Sequence, residues 1–172
     1  MTKDEVLKIK ATVLYISDRV EDLTTFYLSK ILYFANEKHL SRYGRPIIKD
    51  TFFALENGPV PSFVYDAIKV AQKRNNGTNL LNIIANSIKT GDDTSKDHIF
   101  PLEKPDMDEL SKSDIECLDS SIEENINLKF IDLSNKSHDK AWQNAWDKKK
   151  ASAIDMLLMA KSAGASDSMI DY

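Results

Sequence analysis

Apolar residues recur along this chain at helical spacing over most of its length. Val6, Ile9, Val13, Ile16 and Val20 fall three and four apart, which is the stripe of an amphipathic helix over residues 5–20. Thr24 or Thr25 stands where a hydroxyl can cap a second helix. The body of that helix, residues 26–44, is apolar nearly all round, with Leu28, Ile31, Leu32, Phe34 and Ala35 close together. A helix of that kind belongs at the centre of the fold. Gly44 ends it, and Pro46 prevents its continuation. Residues 47–55 read as short extended segments. Asn57-Gly58 reads as a tight turn, since both residues tolerate positive φ. Pro59 and Pro61 hold Val60 extended between them. Phe63, Val64, Ala67, Ile68 and Ala71 predict a third helix from about Pro61, ended by Asn75-Asn76-Gly77.

The second half is more polar. Residues 79–89 predict a short fourth helix and residues 90–97 a loop. Residues 98–102 suit a strand that Pro101 confines to a sheet edge. Ser113 and Glu116 have the spacing of a capping box, and Ile115, Leu118, Ile122 and Ile126 behind them line one face of a fifth helix. Residues 132–138 are polar and turn-like. A sixth helix is expected from about His138, carrying Trp142 and Trp146 four apart on one face. A last helix is expected over 151–163, with a frayed tail after Gly164. The predicted fold is mainly α (α+β): a compact bundle of about six to seven helices with a small antiparallel β-sheet or hairpin.

Composition narrows the function classes. The 172 residues are 42% apolar and 29% charged, as in a globular domain. No apolar run approaches the ~20 residues of a membrane helix. The opening MTKDEVLKIK has charges where a signal peptide needs its apolar stretch, so a cytoplasmic location is expected. The single cysteine, Cys117, excludes an internal disulfide and a zinc site of paired cysteines. Its place inside a predicted helix makes it a buried, inert thiol. The net charge of −4 hides an asymmetry: residues 1–90 carry 13 Lys/Arg and 9 Asp/Glu, whereas residues 91–172 carry 10 and 18. Between Asp92 and Asp132 there are 13 acids and four lysines, a surface suited to a basic partner.

No glycine loop for phosphate, GxSxG elbow or HExxH motif is present. The chain is therefore not expected to be an enzyme or to need a cofactor or metal. The alternative is a metal-dependent phosphohydrolase, in which a His, a His-Asp pair and a distant Asp converge on a metal. His39, His138-Asp139 and Asp155 or Asp167 supply those residue types, but His39 and His138 are spaced far more widely than that chemistry's usual pattern. Tyr33, Phe34 and Tyr43 among Lys30, Lys38, Arg42 and Arg45 would suit a single-stranded nucleic acid. Helical periodicity instead turns the rings inward, and no direct nucleic-acid binding is expected.

Three blocks carry a family resemblance. The first is Leu28-Ser29-Lys30-Ile31-Leu32-Tyr33-Phe34-Ala35. The second runs from Gly44-Arg45-Pro46 through Phe53-Ala54-Leu55-Glu56-Asn57-Gly58-Pro59-Val60 to Tyr65. The third is Leu133-Ser134-x-x-Ser137-His138 followed by Ala141-Trp142. In this order and spacing they resemble the SocA-like, or Panacea, antitoxin domain, related to phage-associated GepA proteins. The resemblance spans residues 5–146, with 147–172 as a C-terminal helix and tail on, or extending from, the same domain.

That resemblance implies an antitoxin of a toxin–antitoxin system, prophage-associated in many relatives, that neutralises a co-encoded toxin by direct protein–protein binding. A second mode it implies is a proteolytic adaptor that delivers the toxin to an AAA+ protease. Lys30, Tyr33, Glu56, Gly58, Pro59, Tyr65, Ser134, His138 and Trp142 are its candidate partner-binding or signature residues. Each also has a scaffold role to fill. Gly58 and Pro59 shape a turn, and Tyr33 and Tyr65 are core rings whose hydroxyls reach a partner group. Trp142 packs on the second helix, Lys30 and Glu56 either pair or are simply solvated, and His138 fixes the loop before the sixth helix. Asp108, Glu109, Glu123 and Glu124 are the candidate acidic docking surface for the toxin.

Overall fold

The computed structural model describes residues Met1–Gly164; the tail from residue 165, expected to fray, lies outside them. Within that span the order is α1 (Lys3–Arg19), α2 (Thr25–Tyr43), β1 (Phe52–Leu55), β2 (Gly58–Pro61), α3 (Ser62–Ala71), α4 (Asn79–Ala85), β3 (Ile88–Thr90) and β4 (Ile99–Pro101). A single 3-10 turn at Met107–Glu109 follows, then α5 (Lys112–Asn125), α6 (Phe130–Ser137), α7 (Lys140–Lys148) and α8 (Met156–Ser162). The architecture is mainly helical, with two antiparallel two-stranded sheets, β1–β2 and β3–β4.

The apolar α2 is the central element, as its composition predicts. Leu28, Ile31, Leu32, Tyr33 and Ala35 are buried, and α5, β2 and α8 pack around the helix. The Thr24 hydroxyl accepts from the Tyr27 N–H at its start, and Gly44 closes its end at φ 75°. Pro61 precedes α3 but has no side chain to cap it. Asp50 takes that role from outside the helix, its carboxylate accepting from the Phe63 and Val64 N–H groups and from the Ser62 hydroxyl. No described helix is long and apolar enough to cross a membrane.

Four expectations are corrected. The predicted helix over 79–89 ends at Ala85, and Ile88–Thr90 pair with Ile99–Pro101 instead. Ile88 turns into the core there, while Lys89 turns out. The capping box is Ser111 with Asp114, not Ser113 with Glu116. Asp114 is buried against Lys8, His39 and Arg45, and this network sets the helix frame. Residues 132–137 of the stretch expected as a turn lie within α6, with His138 just past its end; the buried face of α6 is only Leu133, Ser134 and Ser137. One apolar residue among polar ones leaves no apolar stripe for the sequence to show. The predicted helix over 151–163 begins only at Met156, capped by Asp155. The residues before it are extended along β1: Ala54 N–H donates to the Ser152 carbonyl, and Ile154 N–H to that of Phe52.

The hairpin turn is also shifted by one residue. Leu55 pairs with Gly58, so the loop residues are Glu56 and Asn57 rather than Asn57 and Gly58. Gly58 is the first residue of β2 and carries the positive φ, 119°.

Candidate functional site

The β1–β2 hairpin tip is held by side chains from three other elements. Trp142 of α7 donates its indole N–H to the Leu55 carbonyl at 2.8 Å. His138, between α6 and α7, donates from Nε2 to the Glu56 carbonyl at 3.0 Å. Ser134 of α6 donates to the Asn57 carbonyl at 3.1 Å. Lys30 of α2 donates to the Pro59 carbonyl at 2.9 Å. Four of the five carbonyls from Leu55 to Pro59 are thus bound by distant side chains, and backbone acceptors bound this way are fixed in space.

The same residues pack closely. The His138 ring lies on Trp142 with centroids 3.8 Å apart, and Trp142 on Trp146 at 5.1 Å. Trp142, expected against α2, is therefore anchored on β1 and its loop. Burial holds the His138 imidazole below its ordinary pKa, and the Glu56 carbonyl, which can only accept, requires the proton on Nε2. Gly58 sits where α2 and α6 meet the hairpin. A Cβ there would fall on Ser137 Oγ and come within 2.6 Å of Lys30 Cε.

Lys30 does not pair with Glu56, whose side chain is exposed. The lysine is 1% exposed, and burial lowers its pKa to about 7. Its ammonium also stands 4.7 Å from the centroid of the Phe26 ring. Beyond it opens a cavity of about 250 Å³ lined by Phe26, Lys30, Leu55, Gly58, Val60 and Tyr65, among others. Tyr65, expected in the core, is half-buried at this cavity, with the Lys69 ammonium 4.6 Å from its ring centroid.

Beside the next turns of α2 lies a carboxyl pair, Glu37 and Asp139; the sequence singled out Asp139 only as a metal ligand, and Glu37 not at all. The Tyr33 hydroxyl donates to Asp139, with Oδ1 and Oδ2 at 3.0 and 2.9 Å. Asp139 Oδ1 also accepts the Trp142 N–H and so caps α7. Glu37, one turn beyond Tyr33, is 6% exposed, and its Oε1 has no hydrogen-bond partner among the described residues. Burial, then the Asp139 carboxylate beside it, push Glu37 up to about 10, so it is protonated at neutral pH. Burial, with Glu37 and Asp139 adding, also pushes the Tyr33 hydroxyl up. The pair borders a cavity of about 380 Å³ that is edged by Lys38, Arg42 and Lys136. The one hint in the sequence was a Tyr–Glu pair four apart on an otherwise apolar helix.

The remaining candidates stay apart. Asp108 and Glu109 lie on the 3-10 turn before α5, and Glu123 and Glu124 lie in its last turn. That helix of 14 residues is about 21 Å long, so the four acids form two patches. Glu124 is engaged by Lys38 at 2.8 Å. The His39 ring nitrogens meet the Arg45 carbonyl at 2.6 Å and the Ser113 hydroxyl at 2.9 Å, away from the His138 site. Among the described residues no three of His, Cys, Asp and Glu are grouped to hold a metal ion; Asp167 lies outside them. Cys117 is buried, and burial pushes its thiol up.

A family model described as "Antitoxin SocA-like, Panacea domain" matches residues 28–143, more than half of the chain. The chain belongs to this family. No curated protein and no solved structure matches it. The matched span encloses all four side chains that bind the hairpin carbonyls, from Lys30 to Trp142. α1 precedes the matched span of this Panacea domain, yet Val6, Ile9, Val13, Leu14 and Ile16 are fully buried in the same core.

The hairpin of the Panacea domain depends on these bonds in a measurable way. Trp142→Phe keeps an aromatic ring but leaves the Leu55 carbonyl without its donor. An unmet partly buried acceptor costs about 1–3 kcal/mol, so thermal melting is expected to fall by several degrees. An unchanged midpoint would show that water replaces the indole at no cost.

Proposed function

We propose that this Panacea domain is an antitoxin that neutralises a toxin encoded beside it by direct protein–protein binding. The observation that carries the reading is the family match over residues 28–143. The hairpin supports it. Glu56 and Asn57 are exposed at a loop whose carbonyls are bound from behind, and a loop already ordered loses little entropy on binding. In this reading most signature residues hold the surface that meets the toxin. A specific contact would bury at least ~1,000 Å² in total.

Co-expression with the neighbouring gene tests this. The expected result is restored growth together with a one-to-one complex that survives gel filtration. Restored growth without any physical complex overturns direct neutralisation. Growth restored only when an AAA+ protease is present would identify an adaptor instead. Reversing Asp108, Glu109, Glu123 and Glu124 to lysine is expected to slow association and weaken its salt dependence. An unaltered association rate would remove the acidic patches from the mechanism and leave the complex standing.

A further inference from the structure

We propose that the 250 Å³ cavity between α2 and the hairpin receives a carboxylate side chain of the partner protein, with Lys30 as its counter-charge and the surrounding apolar rings gripping the residues beside it. This rests on the toxin-binding reading and names the chemistry of its contact.

Lys30 lines this cavity. Its ammonium has three donors, and one hydrogen bond, to the Pro59 carbonyl, is present among the described residues. No described acid forms an ion pair with it, and the residue is almost wholly buried. A buried charge that meets one carbonyl and one aromatic ring but no anion is expensive, and a neutral amide would serve Pro59 equally well. The cation itself therefore calls for an anion arriving from outside.

The cavity walls say what carries that anion. Phe26, Leu55, Val60 and Tyr65 are apolar or aromatic. The hydroxyls of Thr25 and Ser29 donate to the Asp97 and Thr25 carbonyls. Glu56 and Asn57 are exposed at the rim, so the apolar walls lie on the Phe26, Val60 and Tyr65 side, where a chain with apolar residues flanking an acid finds matching surface. The apolar surface continues outside the cavity. Phe130 stacks on Phe26 with centroids 4.2 Å apart and is 48% exposed, and Ile131 beside it is 59% exposed. An apolar rim around one desolvated charge is the arrangement of an interface anchor.

Two capped tripeptides probe the site in the full chain: acetyl-Leu-Glu-Phe-amide and acetyl-Leu-Gln-Phe-amide, followed by amide NMR. The Glu peptide is expected to shift the amides of Gly58, Val60 and Tyr65 and to bind about tenfold more tightly than the Gln peptide. Its affinity should fall as pH rises above about 7, because Lys30 loses its proton there. The other titratable groups near Lys30 are Glu56 and Tyr65 at the cavity and His138 of the α6–α7 link, whose pKa is already lowered.

Lys30→Met is expected to abolish the preference for Glu over Gln. Val60→Asp, which places a fixed carboxylate in the cavity, should suppress Glu-peptide binding and serves if the first variant does not fold. Equal binding of the two peptides, or no shift at about 10 mM, overturns the proposal. So does acetate alone binding as tightly as the Glu peptide, which would make this a small-anion site. None of these measurements involves the toxin. Their failure leaves toxin binding intact, and absence of a toxin complex leaves a positive peptide result intact.

Discussion

Gly58→Val is expected to cost about 2–6 kcal/mol of stability and to lower the melting midpoint by at least about 4–8 °C. Two independent effects add. The φ of 119° lies where only glycine rests without strain, and a β-branched residue there costs about 1–3 kcal/mol. The new Cβ also collides with Ser137 Oγ and the Lys30 stem, and overpacking of this kind costs about 1–3 kcal/mol. Because the clash begins at Cβ, Gly58→Ala is expected to lose most of the same stability. Adding Ser137→Gly to Gly58→Ala should recover part of the loss, and the two changes should couple in a double-mutant cycle. A midpoint unchanged by Gly58→Val would show that the hairpin does not pass between α2 and α6 as described.

Glu37→Gln is expected to stabilise the protein, and more so as pH rises. In the folded state burial and Asp139 raise Glu37 to about 10, whereas in the unfolded chain it ionises near its ordinary value of 4.5. Its contribution is therefore fully present below the unfolded pKa and is lost as pH rises through the folded one. Lys30 acts in the opposite direction. Its folded pKa of about 7 lies below the ordinary 10.5, so its cost is present below pH 7 and is relieved as pH rises towards 10.5. Between pH 7 and 10 the two slopes oppose one another, and wild-type stability should vary little there.

The difference between variant and wild type removes the Lys30 contribution, which both share. Glutamine keeps the shape and donates to Asp139 without a proton to lose. The variant should match wild type near pH 4.5. It should exceed it by at least ~1.4 kcal/mol at pH 8, the worth of a tenfold preference for the protonated form. Denaturant unfolding across that range checks this, and a difference that does not change with pH would mean that Glu37 is ionised in the fold.

The hairpin shows where reading from the chain stops. Phe53 to Val60 announces extended residues around a turn, and its position in the chain is right. The turn is one residue off because Asn57-Gly58 is the commoner signal for positive φ, while the structure needs that freedom only at Gly58, where α2 and α6 approach. α6 shows the same limit from another side. Its buried Ser134 and Ser137 are polar, so its inward face carries no apolar stripe, although both hydroxyls are used.

The central helix, the helical class, the hairpin between two helices and the family are legible in the chain, because periodicity, caps, turn residues and motif order are read over short stretches of it. What the signature side chains do follows from contacts between residues far apart in the chain. Lys30 meets Pro59 across 29 positions, Ser134 meets Asn57 across 77, and Tyr33 meets Asp139 across 106. The raised pKa of Glu37 and the lowered one of Lys30 belong to the same level. They depend on removal from water and on neighbours brought close by the fold, and no local pattern of residues encodes either.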